Sequence, residues 1–587
     1  MFLPITKEEV TKRGWSELDV VIVSGDAYID HPSFGSAVIG RTLEADGLRV
    51  AILPQPNWQD DLRDFKKFGK PRLFFGVTGG SMDSMVNHYT AAKRLRNDDA
   101  YTPGGKSGFR PDYAVNVYSK ILKQLFPQTP VILGGIEASL RRASHYDYWA
   151  DRLFPSILIS SQADMLVYGM GEKIIRNIAA LLDRGVPMSQ IRNLKQTAFV
   201  VNADDSSMND YNANTNCTFL PSFVQCTKDK SKQAEVMSII ERNANSYQGN
   251  ILIQNYGQTN IVINQTDNDF GTTDLDNSFD LPYERRPHPK YNKRGQIPAF
   301  EMIKHSVNIH RGCFGGCAFC TIAIHQGKTI ISRSETSILK EIKAISQMPD
   351  FKGYLTDLGG PSANMYLMGG KDKTLCRKCR KPSCIHPSIC SNLDNNHEPL
   401  LSLYAKVRSL PYIKKVFIGS GIRYDIFTDN RYFDTLFRYH VSGRLKVAPE
   451  HTEDNVLKAM RKPSFDKFIA LKHRFDMLNK RFGMKQQLIP YFISSHPACS
   501  LKDMALLAQR TASLGYRLEQ VQDFTPTPMT IATEMYYTGF NPQTMEKMFC
   551  VHSKQEKQEQ NRIFFWYKPE NRSWAKTIFR KYNLPLK

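Results

Sequence analysis

Apolar residues recur along this chain in short β-branched runs, each followed by a stretch with helical spacing. Asp19-Val20-Val21-Ile22-Val23-Ser24 is the first run, halted at Gly25, and its unbroken apolar character predicts a strand covered on both faces. Segment 34–47 has the period of a helix. Val50-Ala51-Ile52-Leu53, Arg72 to Val77, Val131 to Gly135 and Met165 to Gly169 repeat the strand pattern, with helices at 111–126 and on to about 184. Strands alternating with helices over 1–190 predict a doubly wound α/β domain with ligand loops at the carboxyl ends of its strands. Asn, Asp, Gln and Thr then dominate 202–216 and 254–279, so 191–299 reads as an irregular linking region around a helix at 230–245 and a strand at 250–254. Glu284-Arg285-Arg286-Pro287-His288-Pro289 reads as a solvated basic turn.

The alternation restarts after residue 305. Strands at 307–309, 354–358, 416–421, 445–450, 487–492 and 518–524 are separated by helical segments. Six βα units over 300–530 predict a partial (β/α)6 barrel with its site on the carboxyl-end loops. An insertion at 361–400 is rich in Cys, Lys, Arg and Pro. A basic, aromatic extension covers 531–587, where Trp574, Ile578 and Phe579 share a helix face expected to pack on the barrel.

Composition adds three constraints. The formal net charge of +21 keeps nucleic acid open as a partner without establishing it. No apolar run is long enough to span a bilayer, and the N-terminus lacks the basic-then-apolar order of a signal peptide, so a cytoplasmic protein with no membrane partner is expected. Seven of the eleven cysteines fall in two tight clusters, which is metal spacing in a reducing compartment rather than a disulfide framework.

The first cluster is Cys313, Cys317 and Cys320, in Gly312-Cys313-Phe314-Gly315-Gly316-Cys317-Ala318-Phe319-Cys320, with C-x3-C-x2-C spacing. Three soft thiolates on one short loop can hold three irons of a 4Fe–4S cluster and leave the fourth open. A structural zinc site completed by His310 or His325 is the alternative. The loop resembles the signature of the radical S-adenosylmethionine (radical SAM) superfamily. That resemblance implies that SAM chelates the open iron and that its reductive cleavage yields a 5′-deoxyadenosyl radical. It also implies roles for particular residues. Phe319 lies beside the bound ligand. Gly359 and Gly360, after the second barrel strand, stand where the superfamily holds the SAM amino group, and Pro361 in place of an acidic residue leaves that role to backbone carbonyls. Ser420 and Arg423, after the third strand, suit the ribose and carboxylate of SAM, with a surface ion pair as the alternative for Arg423. Glu450 and His451 end the fourth strand and face the same mouth, and His496 follows the fifth. No catalytic residue is assigned.

Four stretches resemble the YgiQ-type radical SAM proteins: Phe300 to Ser332, Thr356 to Tyr366, Val447-Ala448-Pro449-Glu450-His451-Thr452, and Asp523 to Met529. The resemblance implies a 4Fe–4S cluster, SAM and a one-electron donor such as a flavodoxin or ferredoxin. It names no substrate, and RNA modification and cobalamin-dependent chemistry are both open branches. The N-terminal domain resembles the cobalamin-binding domain that precedes many radical domains. Asp30, His31 and Gly35 have the wrong spacing for its Asp-x-His-x-x-Gly motif, so cobalamin is not expected, although some cobalamin enzymes dispense with the histidine.

The second cluster, Cys376, Cys379, Cys384 and Cys390, lies in the insertion. Four thiolates fit a closed zinc site or an auxiliary iron–sulfur cluster, and His386 or His397 can substitute for one of them. The alternative to an enzyme is a non-catalytic iron–sulfur or zinc protein that senses redox state or binds nucleic acid.

Overall fold

The computed structural model describes residues 1–585. A nine-stranded sheet organises the N-terminal half. Its strands are β1 (Val20–Ser24), β2 (Val50–Pro54), β3 (Phe74–Thr78), β4 (Val131–Gly134), β5 (Met165–Val167), β6 (Thr197–Asn202), β7 (Cys217–Phe219), β8 (Ile251–Asn255) and β9 (Thr259–Ile263). Their spatial order is β7-β8-β9-β6-β5-β4-β3-β1-β2. Strands β1 to β5 run parallel, and every residue of β1 and β2 is buried, as their continuous apolar runs require. The chain leaves β1 for β2 on one side and then crosses to β3 on the other. This reversal opens a crevice at the carboxyl ends of β1 and β3.

The expectation of an irregular region at 191–299 is corrected. Strands β6, β8 and β9 extend the same sheet with antiparallel pairings, and β7 adds a parallel edge. Polar residues on these strands obscured the pattern. Gln254, for example, is fully buried and bonds Ser144 and the carbonyl of Pro221.

The barrel strands are β10 (Ser306–Asn308), β11 (Tyr354–Leu355), β12 (Asp357–Gly359), β13 (Lys415–Val416), β14 (Arg444–Glu450), β15 (Gln487–Ser494) and β16 (Val521–Asp523). β10 pairs with β12, β11 with β13, β14 with β15, and β15 with β16, all in parallel. One run expected at 354–358 is thus split at Thr356, and the third strand keeps only two residues in the ladder. Helices cover the outside of this arc, and the C-terminal helix Pro569–Lys581 packs Ala575 and Phe579 into the same core, with Trp574 and Ile578 against it.

The basic turn at 284–289 is a clasp rather than a solvated linker. Arg285 is buried and pairs with Glu341 at 2.6 Å on the barrel helix Glu335–Ser346, and Arg286-Pro287 pairs with Ile29-Asp30 of the N-terminal half. Glu341 also receives the fully buried Arg333. Removing a carboxylate that neutralises two buried guanidinium groups leaves them uncompensated. Glu341→Ala is therefore expected to lower stability by about 3–5 kcal/mol, read as a shift of the urea midpoint.

Candidate functional site

The Cys313–Cys320 loop follows β10 at the carboxyl edge of the barrel. Two glycines shape it. Gly312 (φ +87°) lies so near the Thr329 carbonyl that a Cβ would sit 2.1 Å from its oxygen. Gly316 (φ +64°) meets the Pro382 carbonyl in the same way at 2.4 Å. Both positions need left-handed backbone and close approach, which only glycine supplies without strain.

Burial raises Cys313, and charge on Cys317 adds to the rise while Arg423 opposes it. Burial pushes Cys320 up to about 12, reinforced by Cys317 and Cys313 and opposed by Lys462. Among the described residues no group of three His, Cys, Asp or Glu side chains is already closed into a metal-holding arrangement. Donors nevertheless point at sulfur. The Gly315 N–H lies 3.4 Å from Cys313 Sγ, and Arg423 Nη1 lies 3.3 Å from Cys317 Sγ. Three thiols with such donors fit an iron–sulfur cluster, whose sulfurs are tuned by hydrogen bonds of this kind.

Neither histidine proposed for the zinc alternative turns toward the thiols. His310 Nε2 bonds the Ser362 carbonyl at 2.9 Å, and His325 Nδ1 meets Ser139 Oγ at 3.1 Å.

Several expected SAM contacts have other commitments. Arg423 is not a surface residue. It is buried, and its Nε and Nη2 grip both oxygens of Asp425 at 3.0 and 2.6 Å, so the fork expected for a ligand carboxylate is already filled. Burial raises the Asp425 carboxyl, but the Arg423 charge overcomes this and holds it below the ordinary value. Ser420 Oγ donates to Asp357, which also accepts the Gly419 and Ser420 N–H groups. The Gly359 carbonyl accepts the Ile309 N–H at 2.8 Å, which leaves Gly360 as the freer of the two glycines. His451 does not face the mouth. It is fully buried, with Nδ1 accepting the Glu453 N–H and Nε2 3.5 Å from Cys499 Sγ.

Glu450 lies at the mouth with φ +69°, a sparsely populated conformation for a residue with a side chain. Burial raises its carboxyl, and Lys462 Nζ, at 3.5 Å, opposes that rise. Phe319 lies edge-on to His496 at 5.9 Å, and His496 in turn meets Phe524 at 5.1 Å. Sequence reasoning missed Asp357, Asp425 and Lys462. Asp357 stands within the stretch Thr356 to Tyr366 already singled out and Asp425 lies two residues after Arg423, but nothing in linear spacing marks Lys462.

A cavity of about 370 Å³ opens at the sheet crevice. Its walls include Asp26 after β1, Gly80 and Ser81 after β3, and Arg311, His325 and Gln326 from either side of the cysteine loop. Gln326 Oε1 accepts the Gly312 N–H at 3.1 Å, and Arg311 pairs with Glu172 on the opposite wall. His31 does not face this cavity. Its Nδ1 accepts the Ser33 N–H and its Nε2 lies 3.0 Å from Arg285.

Residues 2–306 match the family described as "Radical SAM N-terminal", and residues 519–581 match a domain of unknown function, DUF3362. A "UPF0313 protein" of Porphyromonas gingivalis is 55% identical over 580 residues, covering 97% of this chain and 91% of that protein. One from Bacteroides thetaiotaomicron is 56% identical over 593 residues, covering 97% and 95%. A solved structure of TsrM, a radical S-adenosylmethionine methyltransferase of Kitasatospora setae with cobalamin and a [4Fe-4S] cluster bound, aligns at a TM-score of 0.48 and 14% identity over 87% of this chain and 77% of that one. The fold and the cysteine loop define a radical SAM protein. The chain belongs to the UPF0313, or YgiQ-type, family within that superfamily.

Burial lowers His310, His325 and His496 to about 4 each, so all three stay neutral in the folded chain. An unfolded chain takes up protons near pH 6.5 that the folded chain refuses. Their stabilising contribution is therefore complete above pH 6.5 and is lost as pH falls toward 4. Urea unfolding at pH 7 and pH 5 should show a lower midpoint at pH 5, with each histidine costing roughly 1.4 kcal/mol per pH unit between those limits.

Proposed function

We propose that this chain is a cytoplasmic radical SAM enzyme whose cluster is held by Cys313, Cys317 and Cys320. The observation that carries this reading is three thiols on one loop at the mouth of a partial barrel, with the Gly315 N–H facing Cys313 Sγ and Arg423 Nη1 facing Cys317 Sγ. With a 4Fe–4S cluster and SAM bound, and an electron from a flavodoxin- or ferredoxin-like donor, the pair supplies a 5′-deoxyadenosyl radical.

The chain's own residues hold and shield that chemistry. Arg423, fixed by Asp425, sets positive charge against the thiolates. Lys462 takes the ligand carboxylate, because its ion pair with Glu450 is long, at 3.5 Å, and leaves the ammonium free to take a second carboxylate. Gly360 offers backbone to the SAM amino group, Ser420 is aimed by Asp357, and Phe319 and His496 exclude water on the far side.

The cavity between Asp26 and Arg311 is the chamber for the substrate, since two of its walls flank the cysteine loop. Its volume suits one small molecule. The mismatch at Asp30-His31 bears only on a histidine ligand to cobalt, and a corrinoid held without that ligand is compatible with it.

Anaerobically reconstituted protein, reduced and given SAM, should release 5′-deoxyadenosine, and Cys317→Ala should abolish it. A fully loaded protein that forms none would favour the non-catalytic iron–sulfur reading. Lys462→Met should weaken SAM binding at least tenfold at unchanged iron content, measured by equilibrium dialysis. Binding as tight as in the parent chain would remove Lys462 from the site.

A further inference from the structure

We propose that Cys376, Cys379, Cys384 and Cys390 bind one zinc ion, and that this ion clamps the insertion onto the cluster loop. The four thiols come from the single segment 376–390 and fall into two pairs. The Cys379 N–H donates to the Cys376 carbonyl at 3.1 Å, and the Cys390 N–H to the Cys384 carbonyl at 2.8 Å. Donors already face the sulfurs. The Lys381 N–H lies 3.4 Å from Cys379 Sγ, Asn392 Nδ2 3.3 Å from Cys376 Sγ, and Lys328 Nζ 4.0 Å from Cys379 Sγ.

On binding, four thiols release their protons to solvent and their lone pairs form four bonds to the ion. The resulting dianionic centre lies in a basic stretch that includes Arg377, Lys378, Arg380 and Lys381. A histidine is not needed in this shell. His397 Nε2 is engaged with Asn364 Nδ2 at 3.1 Å, and its ring lies 4.5 Å from Tyr432. Cys376 is exposed and the other three are only partly buried, and a tetrathiolate with one edge open to solvent suits an ion without redox chemistry better than an oxidisable cluster.

The same segment grips the first cysteine loop. The Cys384 N–H donates to the Phe314 carbonyl at 3.1 Å, and Ser383 Oγ donates to the Gly315 carbonyl at 2.8 Å. Cys384 thus offers its sulfur to the ion and its N–H to the carbonyl of Phe314, the residue after Cys313. Fixing four thiols around an ion fixes the position of residues 382–384, and with them the carbonyls between Cys313 and Cys317.

The clamp rests on the reading of the first loop as the iron site, whereas the zinc stoichiometry does not. The full chain, reconstituted anaerobically with iron and sulfide and supplied with zinc, is assayed by elemental analysis. About one zinc and about four irons per chain are expected. The triple variant Cys313→Ala/Cys317→Ala/Cys320→Ala should lose iron and keep zinc. Cys376→Ser/Cys390→Ser should lose zinc and load severalfold less iron. Zinc absent from the parent chain, or about eight irons in its place, overturns the zinc site. A zinc-free double variant with full iron overturns the clamp. If zinc binds but the parent chain loads no iron, the zinc site stands and the radical reading falls.

Discussion

The cysteine loop is held in shape by segments from distant parts of the chain. The Cys313 N–H donates to the Gly327 carbonyl, the Phe314 carbonyl accepts from Cys384, the Ala318 N–H donates to Met460, and the Ala318 carbonyl accepts from Ala532. The loop has little regular structure of its own, so these bonds must satisfy its peptides and set where three thiols point. The insertion, the segment after the fourth barrel strand and the start of the C-terminal extension each supply one. The extension is therefore part of the site's support.

Charge pairs fasten the two halves around that loop. Arg311, two residues before Cys313, reaches Glu172 of the sheet domain, and Arg461, beside Lys462, takes both oxygens of Glu241 at 2.6 and 3.0 Å. Arg285 and Arg333 share Glu341 further from the mouth. Pairs this buried cost desolvation and are weak sources of stability, but removing one partner is expensive. They specify one seating of the sheet crevice against the barrel mouth, and the cavity between Asp26 and Arg311 exists only in that seating. Strain lies in the same region. Glu450, Ser495 and Ala498 have φ of +69°, +60° and +72° at the ends of neighbouring barrel strands.

The parts legible in the sequence were those set by local pattern. Runs such as Val20 to Ser24 are buried on both faces, and their apolar continuity declares it. The C-x3-C-x2-C loop points to its proposed chemistry because its candidate ligands are neighbours in the chain. Strands such as Thr197–Asn202 and Thr259–Ile263 stayed hidden because the surrounding segments are rich in Asn, Gln and Thr, which resemble loops until their partners are known. Arg423 reaches Cys317 Sγ, but its grip on Asp425 was not anticipated. Arg285 looked solvated because a run of charges carries no sign of the glutamate, far along the chain, that buries it. Lys462 and the turning of His451 toward Cys499 depend on how strands and helices pack, and no spacing rule conveys that.

The central claim is that the loop's backbone fit against the insertion sets the iron site. The most direct measurement is the iron and acid-labile sulfide content of anaerobically reconstituted Gly316→Ala beside the parent chain, with urea unfolding as a control. A methyl group there meets the Pro382 carbonyl and sits in left-handed backbone. The account predicts severalfold lower iron loading with a global unfolding midpoint near that of the parent. Full iron loading in this variant would contradict it.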